Sequence, residues 1–182
     1  MEIKEIAQVG KPAPYFSMLS TKDMQTLDKI ITLNDYQGQW LILFFYPYDF
    51  SFICPTEILA LSDRYDDFKA LHTEILGVST DSVYAHRAWL ETPEEENGVK
   101  GTKFPLASDQ THAVSEAYGV LDKKEGVALR GLFIIDPEGI LQYIVVHNYN
   151  IGRSIDETER VLEALQSGGL CGANWQPGDE ML

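Results

Sequence analysis

At 182 residues and an apolar share of 45%, the chain can bury a core as one domain and needs no disulfide staple for its size. Its 28 Asp and Glu against 14 Lys and Arg give a formal net charge of −14, which argues against nucleic acid as a partner, since a phosphate backbone repels such a surface. No apolar run approaches the roughly 18 residues of a membrane span, and the start MEIKEIAQVGKPAP lacks the basic and apolar regions of a secretory signal, so a cytoplasmic protein with no membrane partner is expected.

Gly10-Lys11-Pro12-Ala13-Pro14 reads as a rigid loop entry. Tyr15, Phe16 and Met18 predict a short strand, residues 28–33 a second, and residues 34–38 a turn. Together they suggest an N-terminal β-hairpin. Residues 41–46 (LILFFY) form a continuous apolar run between Gly38 and Pro47, which predicts a buried central strand. Apolar residues at Ile58, Leu61, Tyr65 and Phe68 predict one helix over 56–71. Residues 74–80 read as a second buried strand and 82–90 as a helix, with Val83, Ala85, His86 and Trp89 close to one side. The acidic stretch 91–101 reads as a solvated loop.

Residues 104–107 are brief and extended. A short helix over 111–118 is expected to end at Gly119, and 121–126 to be a charged turn. Residues 132–136 and 140–146, joined by Pro137-Glu138-Gly139, predict a hairpin. Ser154-Ile155-Asp156-Glu157 reads as a capping box. It opens a helix with Ile155, Thr158, Leu162 and Leu165 on one stripe, ended by Gly168-Gly169. Strands followed by helices, with a late hairpin, predict an α/β fold. Its mixed central sheet carries helices on both faces.

The chain has two cysteines, Cys54 and Cys171, and no C-x-x-C pair. Neither a dithiol oxidoreductase nor a zinc knuckle is therefore indicated. A lone cysteine is ordinarily a buried small hydrophobe. Cys54, however, follows a buried strand and opens a helix, where the positive end of the helix dipole favours a thiolate. Ser51 places a hydroxyl within one turn, able to donate to the thiolate or to a bound oxygen. Pro47 offers a rigid wall without an N–H. A permanent cation is missing locally, since Arg64 lies about two and a half turns along the helix. Arg130, just before strand 132–136, and Arg153, just before the last capping box, are the candidates; both lie at element ends, where side chains converge. His72, His86, His112 and His147 share no metal-ligand spacing, and Trp89 and Trp175 read as packing groups.

Pro47-x-x-x-Ser51-x-x-Cys54 resembles the Pro-x-x-x-Thr/Ser-x-x-Cys signature of peroxiredoxins, and FFYPYDFSFICPTE is similar to the typical two-cysteine subgroup that includes the alkyl hydroperoxide reductase C proteins. Further ordered matches are VGKPAP (9–14), LGVSTD (76–81), LRGLFIID (129–136), GRS (152–154) and CGANWQPG (171–178). The resemblance implies a thioredoxin-like domain over 1–165, with a tail, 166–182, carrying the second cysteine. It implies a thiol peroxidase that needs no metal or organic cofactor. Cys54 matches the peroxidatic cysteine and Cys171 the resolving one. Pro47, Ser51 and Arg130 match the pocket residues that activate thiolate and peroxide. Glu57 and Arg153 match positions that orient them. The implied partners are a peroxide, a thioredoxin-like reductant, and a second copy in a homodimer linked by an intersubunit Cys54–Cys171 disulfide, with decamers of five dimers in the family.

Overoxidation-sensitive members carry Gly-Gly-Leu-Gly and a C-terminal Tyr-Phe helix. Here the loop is Asn97-Gly98-Val99-Lys100-Gly101 and no Tyr-Phe follows Cys171, so a peroxide-robust enzyme is expected. An oligomeric holdase chaperone and a peroxide sensor relaying oxidation to partners are the alternatives.

Overall fold

The structure, a computed structural model, describes residues 6–182. In chain order it contains β1 (Ser17–Ser20), β2 (Ile30–Thr32), β3 (Trp40–Phe45), α1 (Cys54–Asp63), α2 (Tyr65–Ala70), β4 (Thr73–Ser79), α3 (Val83–Glu91), β5 (Leu106–Ser108), α4 (Ala113–Ala117), β6 (Leu121–Asp122), β7 (Val127–Ala128), β8 (Arg130–Ile135), β9 (Leu141–His147) and α5 (Ile155–Ser167). Seven strands form one mixed sheet in the order β2-β1-β5-β4-β3-β8-β9. β3, β4 and β5 run parallel at its centre. The N-terminal hairpin joins one side through β1 and β5, and the late hairpin joins the other through β8 and β3, all antiparallel.

β3 explains why the core has two halves. Side chains alternate across a strand. Leu41, Leu43 and Phe45 therefore enter one cluster, with Val114 and Tyr118 from the α4 region. Ile42, Phe44 and Tyr46 enter the other, with Cys54 and Ile58 of α1, Trp89 of α3 and Leu162 of α5. All six are fully buried. Each stabilises the fold by about 1.5–3 kcal/mol relative to exposure, which outweighs a strand-propensity scale spanning about 1 kcal/mol. The expected mixed sheet, two-sided helix cover and N-terminal hairpin are all present.

Four expectations are corrected. The helix over 56–71 is two helices, because Arg64 (ψ 5°) leaves helical geometry and caps the first of them, its N–H making the last bond back to the Ala60 carbonyl. Its side chain reaches Asp67 and, across to α5, Asp156. The helix over 111–118 is shortened to α4, since Asp109, 1% exposed, takes the N–H groups of Val114 and Ser115 and acts as the cap. Residues 121–126 are not only a turn: β6 and β7 pair across them. The capping box of α5 is half made. Ser154 Oγ accepts from the Glu157 N–H, but the Glu157 carboxylate turns outward to Arg160. Gly168 (φ +67°) closes α5 as expected.

Candidate functional site

Cys54 is the first residue of α1 and is fully buried, with Pro55 beside it in the first turn. Pro is suited to that place, where an N–H would lack a partner. The sulfur lies under β8. That strand begins at Arg130 itself rather than two residues later, as the sequence suggested. Arg130 thus shares a face with Leu132 and Ile134, and both pack in the half-core that holds Cys54. Strand parity delivers the arginine. Its Nη1 donates to Cys54 Sγ at 3.3 Å and to Glu57 Oε2 at 2.8 Å, and its Nε to the Tyr149 carbonyl at 2.8 Å.

Glu57, one turn after Cys54, anchors a second arginine. Its Oε1 accepts from the Arg153 N–H and Nε, and its Oε2 from Arg153 Nη2, each at 2.8 Å. Arg153 Nη1 donates to the carbonyls of Phe45 (2.8 Å) and Gly131 (2.6 Å). These lie just past the paired residues Phe44 and Leu132. Its guanidinium carbon also sits 5.4 Å from the Phe44 ring centre. Glu57, Arg130 and Arg153 are all buried. Burial pushes the Glu57 carboxyl up, but the bonds from Arg153, and after them the charge of Arg130, hold it below its ordinary value. The cluster therefore carries one carboxylate between two cations. The surplus positive charge faces the sulfur, and with the helix N-terminus it stabilises negative charge there.

The remaining expected residues are placed differently. Pro47 is buried at the end of β3. Ser51 is half-buried, and its hydroxyl donates to the Tyr48 carbonyl at 2.9 Å. Its one proton is thus engaged locally rather than aimed at sulfur, while its lone pairs still accept. Cys171 lies in the segment after α5, partly exposed, with Ser167 Oγ at 3.6 Å and the Ala164 carbonyl at 3.8 Å. Both cysteines are free.

Sequence reasoning missed the groups that hold the turn between β3 and α1. Tyr46 Oη donates to Asp49 Oδ1 at 2.8 Å, and His86 Nδ1 lies 2.7 Å from Asp49 Oδ2. The Asp49 N–H donates to Asp81 at 3.0 Å. Burial pushes the Asp49 carboxyl up, opposed by its bond to His86. The stripe of α3 did place His86 beside Trp89, and a buried aspartate in an aromatic turn demands a partner. Those two signals together could have found the pair. Asn97 also reaches this turn, from a loop read as solvated. Glu94, Glu95 and Glu96 are exposed as expected, yet Val99 is fully buried.

The profile of the AhpC/TSA family matches residues 9–144. The Bacillus subtilis protein YkuU is 55% identical over 175 residues, covering 96% of this chain and 97% of its own. The chloroplastic 2-Cys peroxiredoxin BAS1 of Hordeum vulgare is 46% identical over 183 residues, covering 98% of this chain and 86% of its own. The crystal structure of the reduced Plasmodium vivax 2-Cys peroxiredoxin superposes with a TM-score of 0.88 at 39% identity, covering 95% of this chain and 91% of that one.

Proposed function

The chain belongs to the AhpC/TSA family and is a peroxiredoxin, a peroxidase with the thioredoxin-like fold of those relatives; on that premise we propose that Cys54 is its peroxidatic residue and Cys171 its resolving one. The observation that carries the proposal is Arg130 Nη1 at 3.3 Å from Cys54 Sγ, with the guanidinium fixed from behind by Glu57 and Tyr149. A thiolate held against a fixed cation at a helix start is a nucleophile with its electrostatic partner in place.

The Cys54 thiolate attacks the nearer oxygen of hydrogen peroxide or an organic hydroperoxide. The O–O bond breaks, its electron pair leaves with the distal oxygen, and a proton completes water or an alcohol. Arg130 Nη2, which takes part in none of the bonds above, donates to the departing oxygen, where aimed donors are often the largest catalytic contribution. Ser51 accepts from the peroxide O–H, and Pro47 walls the pocket. Glu57 and Arg153 orient Arg130. Cys54 is left as a sulfenic acid. The Cys171 thiol attacks it, forming a disulfide and releasing water. A thioredoxin-like dithiol then reduces the disulfide by exchange and is itself oxidised.

In this reading residues 1–165 form the thioredoxin-like domain, and the tail 166–182 delivers Cys171 to a second copy in a homodimer. Higher assembly into a decamer is supported by the bare side chain of Phe52, two residues before Cys54 and 90% exposed. Peroxide consumption with thioredoxin is expected to vanish in Cys54→Ser and to stall after one turnover in Cys171→Ser. Full turnover by Cys54→Ser would refute the assignment. Non-reducing electrophoresis after one equivalent of peroxide is expected to show disulfide-linked dimers, and monomers alone would refute the intersubunit link.

A further inference from the structure

We propose that Tyr149 and Asp122 are positioning residues for the reaction of Cys54 with peroxide: the bond between their side chains fixes the carbonyl that aims Arg130. The proposal rests on the reading that Cys54 is the thiol that peroxide oxidises.

Arg130 Nη1 goes to Cys54 and Glu57, and Nε donates to the Tyr149 carbonyl at 2.8 Å. Bonds at Nη1 alone would leave the guanidinium plane free to swing about them. The carbonyl at Nε therefore sets the tilt of that plane, and with it the direction of Nη2. A carbonyl can do this only if its own segment is held. The two ends of the segment are fixed: Arg130 pairs with His147 across β8 and β9, and the Arg153 N–H bonds Glu57. The middle is not packed. Asn148, Asn150 and Ile151 are exposed. The main-chain bond inside it, from the Ile151 N–H to the Asn148 carbonyl, is long at 3.3 Å. The Tyr149 N–H is taken up by its neighbour Asn148, at 2.8 Å from Oδ1.

The Tyr149 side chain supplies the tie to the rest of the fold. Its hydroxyl donates to Asp122 Oδ2 at 2.7 Å, a charge-assisted bond of the short, strong kind. Asp122 is itself a fixed post. Its Oδ1 accepts from the Lys124 and Glu125 N–H groups at 2.9 and 3.2 Å, and its carbonyl from the Gly126 N–H at 2.8 Å. Its pairing with Val127 closes the β6–β7 hairpin. That hairpin leads through the buried Val127 and Ala128 into β8, which starts at Arg130. The contacts thus form a ring. It runs from the start of β8 back to Asp122, across to the Tyr149 hydroxyl, along Tyr149 to its carbonyl, and on to the Arg130 guanidinium. Burial, then the bond to Asp122, pushes the Tyr149 phenol up, and the same bond holds the Asp122 carboxyl down. The hydroxyl is therefore a donor and the carboxylate an acceptor throughout the neutral range.

The test uses the full chain and follows Cys54 oxidation by hydrogen peroxide in stopped flow. Beside it runs Cys54 alkylation by iodoacetamide, whose leaving iodide needs no donor such as Arg130 Nη2. Tyr149→Phe keeps the ring and removes the hydroxyl. Asp122→Ala removes the post. Asp122→Asn keeps the turn and an amide able to bond the hydroxyl. Tyr149→Phe and Asp122→Ala are each expected to slow oxidation by roughly two- to tenfold, the worth of about one net hydrogen bond, and to change alkylation by less than about twofold. Combined, they are expected to slow oxidation no further than either alone, because they cut the same link. Asp122→Asn is expected to restore most of the rate. A wild type oxidised at Cys54, with Tyr149→Phe and Asp122→Ala equally fast or additive in the double variant, overturns the brace alone. So does an equal slowing of oxidation and alkylation, which marks a general loosening of the pocket. A wild type whose Cys54 is not oxidised by peroxide overturns the functional reading and the brace with it.

Discussion

Glu57→Gln isolates the carboxylate that joins the two arginines. The change is nearly isosteric and removes one charge. Each carboxylate oxygen of Glu57 accepts two N–H groups, Oε1 from the Arg153 main chain and Nε, and Oε2 from Arg153 Nη2 and Arg130 Nη1. Whichever way the glutamine amide turns, its NH₂ meets two donors. Two charge-assisted bonds are lost, at about 1.5–3 kcal/mol each, and two buried cations lose their counter-charge. A broken buried pair is destabilising by about 3–5 kcal/mol, and that is the expected loss in urea unfolding. It leaves a folded protein if the total lies in the usual range of about 5–15 kcal/mol. With the NH₂ at the Oε2 position Arg130 is left to Tyr149 alone, and with it at Oε1 Arg130 keeps a neutral acceptor but loses its counter-charge; either way Cys54 oxidation measured by stopped flow is expected to slow, by up to about a hundredfold, the scale of losing one aimed donor. The pH dependence has a definite sign. Glu57 titrates below its unfolded value near 4.5. Its stabilisation is thus present above that pH and is lost as pH falls from there through the lowered folded value. Wild type should lose stability over that acid range more steeply than Glu57→Gln. A variant within about 1 kcal/mol of wild type, the worth of an exposed ion pair, and with an unchanged oxidation rate would refute the claim that this carboxylate aims Arg130.

Gly98→Ala sets a methyl group against the Thr92 carbonyl, and a loss of about 1–3 kcal/mol is expected, with a changed Trp89 fluorescence as its bond to the Asn97 carbonyl breaks; unchanged fluorescence and stability would contradict the close approach of this loop to α3. His86→Ala removes the partner that holds down the Asp49 carboxyl, whose folded value already lies above its unfolded one. Stability conferred by a raised carboxyl is present below its unfolded value and lost as pH rises through its folded one, so the variant should lose more stability than wild type as pH rises from the unfolded value of 3.8, read as urea midpoints across the acid-to-neutral range. Arg153→Lys cannot reach Glu57 and the Phe45 and Gly131 carbonyls together, so it should weaken the fold by about 2 kcal/mol or more and slow Cys54 oxidation; equal kinetics would show that Arg130 needs no such support.

Expected resistance to overoxidation turned on the loop sequence lacking Gly-Gly-Leu-Gly. The same loop is bonded to the segment before Cys54, the Asn97 amide donating to the Phe50 and Ser51 carbonyls.

What could be read from the chain alone was what neighbours in sequence decide. The run 41–46 is buried on both faces whatever pairs with it, and a proline after Cys54 belongs in a first helical turn. Gly168 stops α5 because a left-handed residue is needed there. Ser51, Pro47 and Cys54 were recognisable as a group because their spacing lies within one loop. Only tertiary structure decided the rest. Arg130 reaches Cys54 because β8 starts at it and parity turns it toward Leu132's side. Arg153 is drawn to Glu57 by the open carbonyls at the ends of β3 and β8. Arg64, at the break between α1 and α2, pairs with acids on α5 that sequence could not assign to it, and Asn97 turns into the site from a loop that a glycine lets close on α3. A charged or amide side chain has no preferred partner until packing removes water from around it, so sequence can name the candidates and only the fold can pair them.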